Sequence, residues 1–195
     1  LIRDQINSAA SRLGAVADLP NSLFDELIDL VETPVLIEGS ISEKYLDLPP
    51  EVISTVMKVH QRYVPLCIED FSHDPLVGKS RGVLLPSFLC VGNAIASSNE
   101  KVRLGNERVL KARLSDAEFF INSDRKISSQ SRLKKLASVT FAEGLGTLSD
   151  RVERIVWLSQ LLIELLDLSE STAQYTIRAA QYCKNDLVSQ MVGEF

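Results

Sequence analysis

PVLIEGSI, residues 34–41, is the stretch that decides the fold class. Its apolar residues form a short β-branched run ended by Gly39, which suits a strand better than a helix of this length. Upstream, Ile2, Ile6, Ala9 and Leu13 repeat at helical spacing up to Gly14, and a second helical stripe of Leu23, Leu27 and Leu30 follows Pro20-Asn21. Downstream, Pro49-Pro50 suit a helix start, and Val52, Val56, Val59 and Tyr63 mark one face of a helix closed by Pro65. Apolar runs at 63–68 and 83–91 predict two strands, joined across the polar stretch EDFSHDPLVGKSRG at 69–82 by a surface loop. Pro86 inside the second run predicts an edge strand or a bulge.

Beyond Ser97-Ser98-Asn99 the pattern turns helical. Leu110, Leu114 and Ala117 stripe a helix from about 106 to 118, and Leu133, Leu136 and Thr140 suggest another after the serines at 128–131. Thr147 with Asp150 fits a capping box for a long helix carrying Leu148, Val152, Ile155, Leu162 and Leu166, and a last helix starts near Ser169. Trp157 reads as core. The expected class is α+β, with a mixed α/β domain over residues 1–120 and an all-helical domain over 121–195.

The 195 residues carry 21 Lys+Arg against 26 Asp+Glu, a formal net charge of -5, with 45% hydrophobic and 6% aromatic residues. That is a globular balance, and no apolar run is long enough for a membrane span. Cys67, Cys90 and Cys183 form neither a close pair nor an even framework, which argues against a disulfide scaffold or a zinc module, and each reads as a buried thiol. The chain opens on Leu1 already inside an amphipathic pattern, so the expectation is a segment of a longer protein.

The charge is polarised. Residues 101–135 hold ten Lys/Arg against four acids, a local +6, and the remaining residues therefore carry -11. Such a block on an acidic body suits a phosphate-binding stripe, although Glu107/Lys111 and Arg113/Asp116 also have the spacing of surface ion pairs. On a helical wheel Arg108 and Lys111 lie about 60° apart and Arg113 points away. His60, Gln61, Arg62 and Tyr63 form a second polar cluster, in which Tyr63 suits base stacking and Arg62 a phosphate. His60 and His73 have no partners at metal spacing, so neither a metal site nor a catalytic set is expected.

Four motifs, LPPEVISTVMKVHQRY (48–63), GNERVLKARLSDAEFF (105–120), EGLGTLSDRVERI (143–155) and DLVSQMVGEF (186–195), resemble the β subunit of the bacterial-type heterotetrameric glycyl-tRNA synthetase. The resemblance runs from about residue 31 to the end. It implies an internal β-subunit segment that binds tRNA-Gly and scaffolds the α subunit, where ATP and Mg serve aminoacylation, with no cofactor in the segment itself. It also implies that residues 121–195 open a helical domain like the HD phosphohydrolases, truncated at the C-terminus. An active HD site needs several histidines, none of which follows His73, so an inactive scaffold is expected, with Asp150 and Asp186 the remaining carboxylates. A metal-dependent phosphohydrolase and a module that only docks the α subunit are the alternatives. Thr33-Pro34, where bacterial members more often have Trp-Pro, and the long 69–82 stretch hint at a divergent member. It would be cytoplasmic if bacterial, and chloroplast or mitochondrial if a plant form with α and β fused. The RNA-contact candidates are Arg103, Arg108, Lys111 and Arg113, with the 60–63 cluster second.

Overall fold

The computed structural model describes residues 1–68, 80, 83–93 and 98–194, and the chain divides into two compact units, Leu1–Glu118 and Phe119–Phe195. Most of the loop expected at 69–82, including His73, lies outside the described residues. Residues 94–97 and 195 do too.

The first unit is built on an antiparallel four-stranded sheet of order β1-β3-β4-β2, with β1 at Val16–Ala17, β2 at Val35–Ser40, β3 at Val64–Cys67 and β4 at Leu84–Gly92. The strand expected at 34–41 is β2, paired with β4 from Val35↔Gly92 to Ser40↔Ser87. One face is covered by α1 (Ile2–Arg12) and α2 (Asn21–Leu30), whose Ile6, Ala9, Leu23 and Leu27 bury against Val64, Leu66 and Leu89. Alternation along the strands turns Ile37, Phe88 and Cys90 to the other face. There Asn106 of α4 (Asn99–Arg125) donates from Nδ2 to Cys90 Sγ at 3.1 Å. Leu110, Leu114 and Ala117 of α4 are fully buried, so the expected stripe is real, but the helix runs well past 106–118 at both ends.

Of the two readings of Pro86 the edge fails, because β4 has β3 on one side and β2 on the other, and the bulge holds, because the β3–β4 register shifts opposite it. Its missing N–H is tolerated because it falls where the β3–β4 register shifts, between Pro65 and Cys67, while its carbonyl accepts from Ile41 N–H. The helix after Pro49 is also shorter: α3 covers Pro50–Thr55 and continues as a π turn, Val56–His60. The wider turn rotates Val59 out to solvent and buries Met57, while Tyr63 lies beyond the helix and Pro65 inside β3.

In the second unit, α5 (Ser129–Lys135) follows the N-cap Ser128, and α6 (Leu148–Leu165) starts from the expected capping box of Thr147 and Asp150. A 3-10 turn at Leu136–Ser138 leads to β5 (Thr140–Ala142), which pairs with β6 (Gly146–Thr147). This hairpin corrects the all-helical expectation. Thr140 is in a strand, and Gly144, at φ +74°, lies in the hairpin turn. The small core joins Leu136, Leu148 and Val152. Past its first turns α6 keeps no fully buried residue: Trp157 is 61% accessible, and Leu162 and, just beyond the helix, Leu166 are open, against the expectation of core. α7 (Glu170–Tyr182) is capped by Ser169, followed by a 3-10 turn at Asn185–Val188 and by α8 (Gln190–Glu194). Asp124 at the end of α4 accepts the N–H groups of Gln190 and Met191 and so caps α8. Cys183 is exposed, unlike the buried Cys67 and Cys90.

Candidate nucleic-acid interface

A groove of about 730 Å³ runs between the end of β2, the 3-10 turn Glu43–Asp47 and α4. Three cationic side chains line it, Lys44, Arg108 and Lys111, together with Ser40 and Ser42. Arg108 and Lys111 share it because they stand one turn apart on α4. Lys44 enters from a different element, and Arg113 is not among the lining residues.

The framework around the groove is fixed by hydrogen bonds. Ser40 gives both its backbone N–H and its hydroxyl to Glu107 Oε1, at 2.9 and 3.0 Å, joining β2 to α4. Tyr45, almost fully buried, donates to the Lys111 carbonyl at 3.2 Å and shares a 2.6 Å hydrogen bond with Ser115, which holds the 3-10 turn to the same helix. Lys44 Nζ donates to Glu118 and lies 4.5 Å from the Tyr45 ring centre, and the Glu118 bond raises its pKa above the ordinary lysine value.

Arg103 is differently placed. Its guanidinium donates to both oxygens of Glu100, at 3.0 and 2.6 Å, and to Glu107 at 2.8 Å. These bonds raise its pKa further and hold the Glu100 carboxyl below its usual range. Arg103 therefore organises Glu107, and a phosphate contact there would have to displace these carboxylates. Glu107 pairs with Arg103 and Ser40 instead of the Lys111 that its spacing suggested, and this leaves Lys111 facing the groove.

The 60–63 cluster is dispersed. His60 ends the π turn and has an interaction partner; Gln61 is half-buried. Arg62, at φ +56°, donates to Glu26 at 3.0 Å and to the Val59 carbonyl. Tyr63 is 8% exposed and stacks on Phe88, ring centres 4.8 Å apart, so its ring is spent inside the protein and is not open to a base. Burial pushes its phenol up to about 12.

The sequence reading missed Lys44, Ser40 and Ser42. They lie well before α4 in the chain, and the local signal is only a pair of serines and a lysine at the end of a strand. Among the described residues no three His, Cys, Asp or Glu side chains gather to hold a metal ion, and no helix is long and apolar enough to cross a membrane.

The family model described as glycyl-tRNA synthetase beta subunit matches residues 1–195. The glycine–tRNA ligase beta subunit of Gloeothece citriformis is 42% identical over 196 residues, all of this chain and 26% of its own. Those of Halothermothrix orenii, 42% over 198 residues, and Bacillus subtilis, 38% over 195, also cover the whole chain and 27% of their own lengths. The class these relatives define is that of the aminoacyl-tRNA synthetases. Within it, the chain belongs to the glycyl-tRNA synthetase beta subunit family, and it spans about a quarter of the length of the curated relatives it matches.

Proposed function

We propose that this chain binds tRNA-Gly through the Lys44–Arg108–Lys111 groove and serves as a noncatalytic scaffold within a glycine–tRNA ligase. Glycine activation with ATP and Mg then belongs to an α subunit or α region. The observation that carries the reading is the convergence of three cations from two separate elements on one groove, with hydroxyl groups beside them. Such a set holds phosphate oxygens and positions RNA without reading its bases. The relatives named above are bacterial, and a bacterial chain of this family would be cytoplasmic. Residues 121–195 fit an HD-like scaffold better than a phosphohydrolase, since Asp150 is consumed by its cap on Thr147.

A salt titration of tRNA-Gly binding tests this, comparing the native chain with Arg108→Ala/Lys111→Ala and with Arg113→Ala. The double variant is expected to bind about tenfold more weakly and with a shallower slope of log affinity against log salt, while Arg113→Ala behaves as native. Equal slopes for all three proteins would remove the groove from the interface.

A second reading is docking of the α subunit. Its support is the exposed apolar face of α6, where Trp157, Leu158, Leu161 and Leu165 are all open to solvent. This reading expects α binding with no RNA binding.

A further inference from the structure

We propose that the second unit carries a nucleotide-binding cleft, made by α5, α7 and the 3-10 turn Asn185–Val188, which takes a phosphorylated nucleoside with its base on a tyrosine ring and its phosphate on the arginine side chains. The cleft holds about 700 Å³. On α7, Tyr175, Arg178, Ala179 and Tyr182 stand at i, i+3, i+4 and i+7, hence on one face. The small Ala179 leaves room between the two phenol rings. Across from them α5 presents Ser129 and Arg132, one turn apart, and Asn185 with Asp186 completes the lining.

Three observations point to a ligand. Asn185 is 8% exposed, and its Oδ1 receives no hydrogen bond from the protein. The Arg132 side chain is 16% exposed and binds the Asp124 carbonyl through Nη2, yet its Nε meets no acceptor. Withdrawing such groups from water without partners costs free energy, and a shift of either side chain toward a polar ligand in the cleft would re-pair it. Tyr175 is 74% exposed, a large aromatic face turned to solvent at the cleft.

The lining chemistry selects the ligand class. Arg132 and Arg178 supply guanidinium groups for an anion, and Lys134 and Lys135 are exposed nearby on α5. Inorganic phosphate alone leaves the tyrosine rings unused and is opposed by the Asp186 carboxylate. A nucleotide uses all of these groups: phosphate on the arginines, base on an aromatic face, and an amino or hydroxyl group donating to Asp186 or Asn185. A free nucleotide and an unstacked nucleotide within an RNA chain share that chemistry. The cleft involves none of the groove residues, so it stands or falls independently of the tRNA reading above.

The test is an NMR titration of the whole chain with adenosine 5′-monophosphate, with inorganic phosphate and with single-stranded hexaadenylate, repeated on Tyr175→Ala/Arg178→Ala. Both substituted side chains are solvent-exposed, so the thermal midpoint is expected to stay unchanged. Saturable shifts on α5 and α7 with the monophosphate, weakened about tenfold in the variant, are the expected result. Tighter binding of hexaadenylate identifies an RNA nucleotide as the occupant, and weaker or equal binding identifies a free nucleotide; either supports the site. The proposal is overturned if neither nucleotide gives saturable shifts, if the variant binds as the native chain does, or if phosphate alone binds as well as the monophosphate.

Discussion

Gly39 faces Phe88 directly across the β2–β4 ladder, and a Cβ at that position would run into the Phe88 ring. The ring is sandwiched, because Tyr63 stacks on it at 15° between planes. Gly39→Ala is therefore expected to lower stability by about 1–3 kcal/mol, read as a shift in the urea midpoint; an unchanged midpoint would show that the ring gives way freely. The same stack sets an alkaline limit. The Tyr63 phenol is raised from 10.0 to about 12 by burial, with the nearby Cys90 adding to it, and burial also raises the Cys90 thiol above 9.0. Both groups are neutral when protonated and have folded pKa values above the unfolded ones. Their stabilising contribution is complete below pH 9 and is lost as pH rises through the folded values, by roughly 2–3 kcal/mol for Tyr63. Unfolding free energies measured from pH 8 to 12 should fall, and Tyr63→Phe should fall less steeply. None of this was legible in the sequence: Gly39 read correctly as the end of a β-branched run, but Tyr63 read as a helix face and as a base-stacking ring. Which way a residue after a helix turns depends on the π turn at 56–60, and local periodicity does not encode that turn.

At the scale of elements, the best-predicted features were those whose partners lie within a few residues. The capping box is one: Asp150 Oδ2 accepts from the Thr147 N–H at 2.6 Å and from its hydroxyl at 2.9 Å, and Thr147 Oγ1 accepts from the Asp150 N–H. Removing the hydroxyl in Thr147→Ala should cost about 1 kcal/mol of stability in the second unit, monitored by circular dichroism on heating. The Thr147 bonds also hold the Asp150 carboxyl below 3.8, so this cap persists above that pH and fails as the medium is acidified through the lowered value. Elements whose fate depends on distant neighbours were misread. Pro86 reads as an edge or a bulge, and only the pairing with distant strands decides: β4 is central, and its irregularity coincides with the β3 register shift. Trp157 reads as core by residue type, and the amphipathic stripe of α6 predicts burial along its full length; only Leu148 and Val152, at the end packed on Leu136, are buried. Periodicity identifies which face of a helix is apolar, and it does not say how much of that face another element covers.

Over the whole chain, ten cations crowd residues 101–135 while the net charge is -5, and sequence alone cannot say how many of the ten act together. The structure narrows the number. Arg103 is held by Glu100 and Glu107, Arg132 by Asp124, and Arg113 is not among the groove residues, whereas Lys44, from outside the block, is. Three cations share the groove, and one of them, Lys44, must exchange Glu118 for phosphate. Each neutralised phosphate contributes a log–log salt slope of about -0.7 on single strands to -0.9 on duplex, so the groove predicts a slope of roughly -2 to -3 for tRNA-Gly. Engagement of the entire block would instead give about -7 to -9. With only three cations in the groove, added nonspecific polyanion should compete poorly at physiological salt, where attraction beyond about 8 Å is screened and only close contacts survive. A measured slope near -2 with weak heparin competition fits a groove-sized interface. A slope beyond about -6 would mean that the exposed Arg125, Lys126, Lys134 and Lys135 meet phosphate as well, and the interface would then have to extend into the second unit.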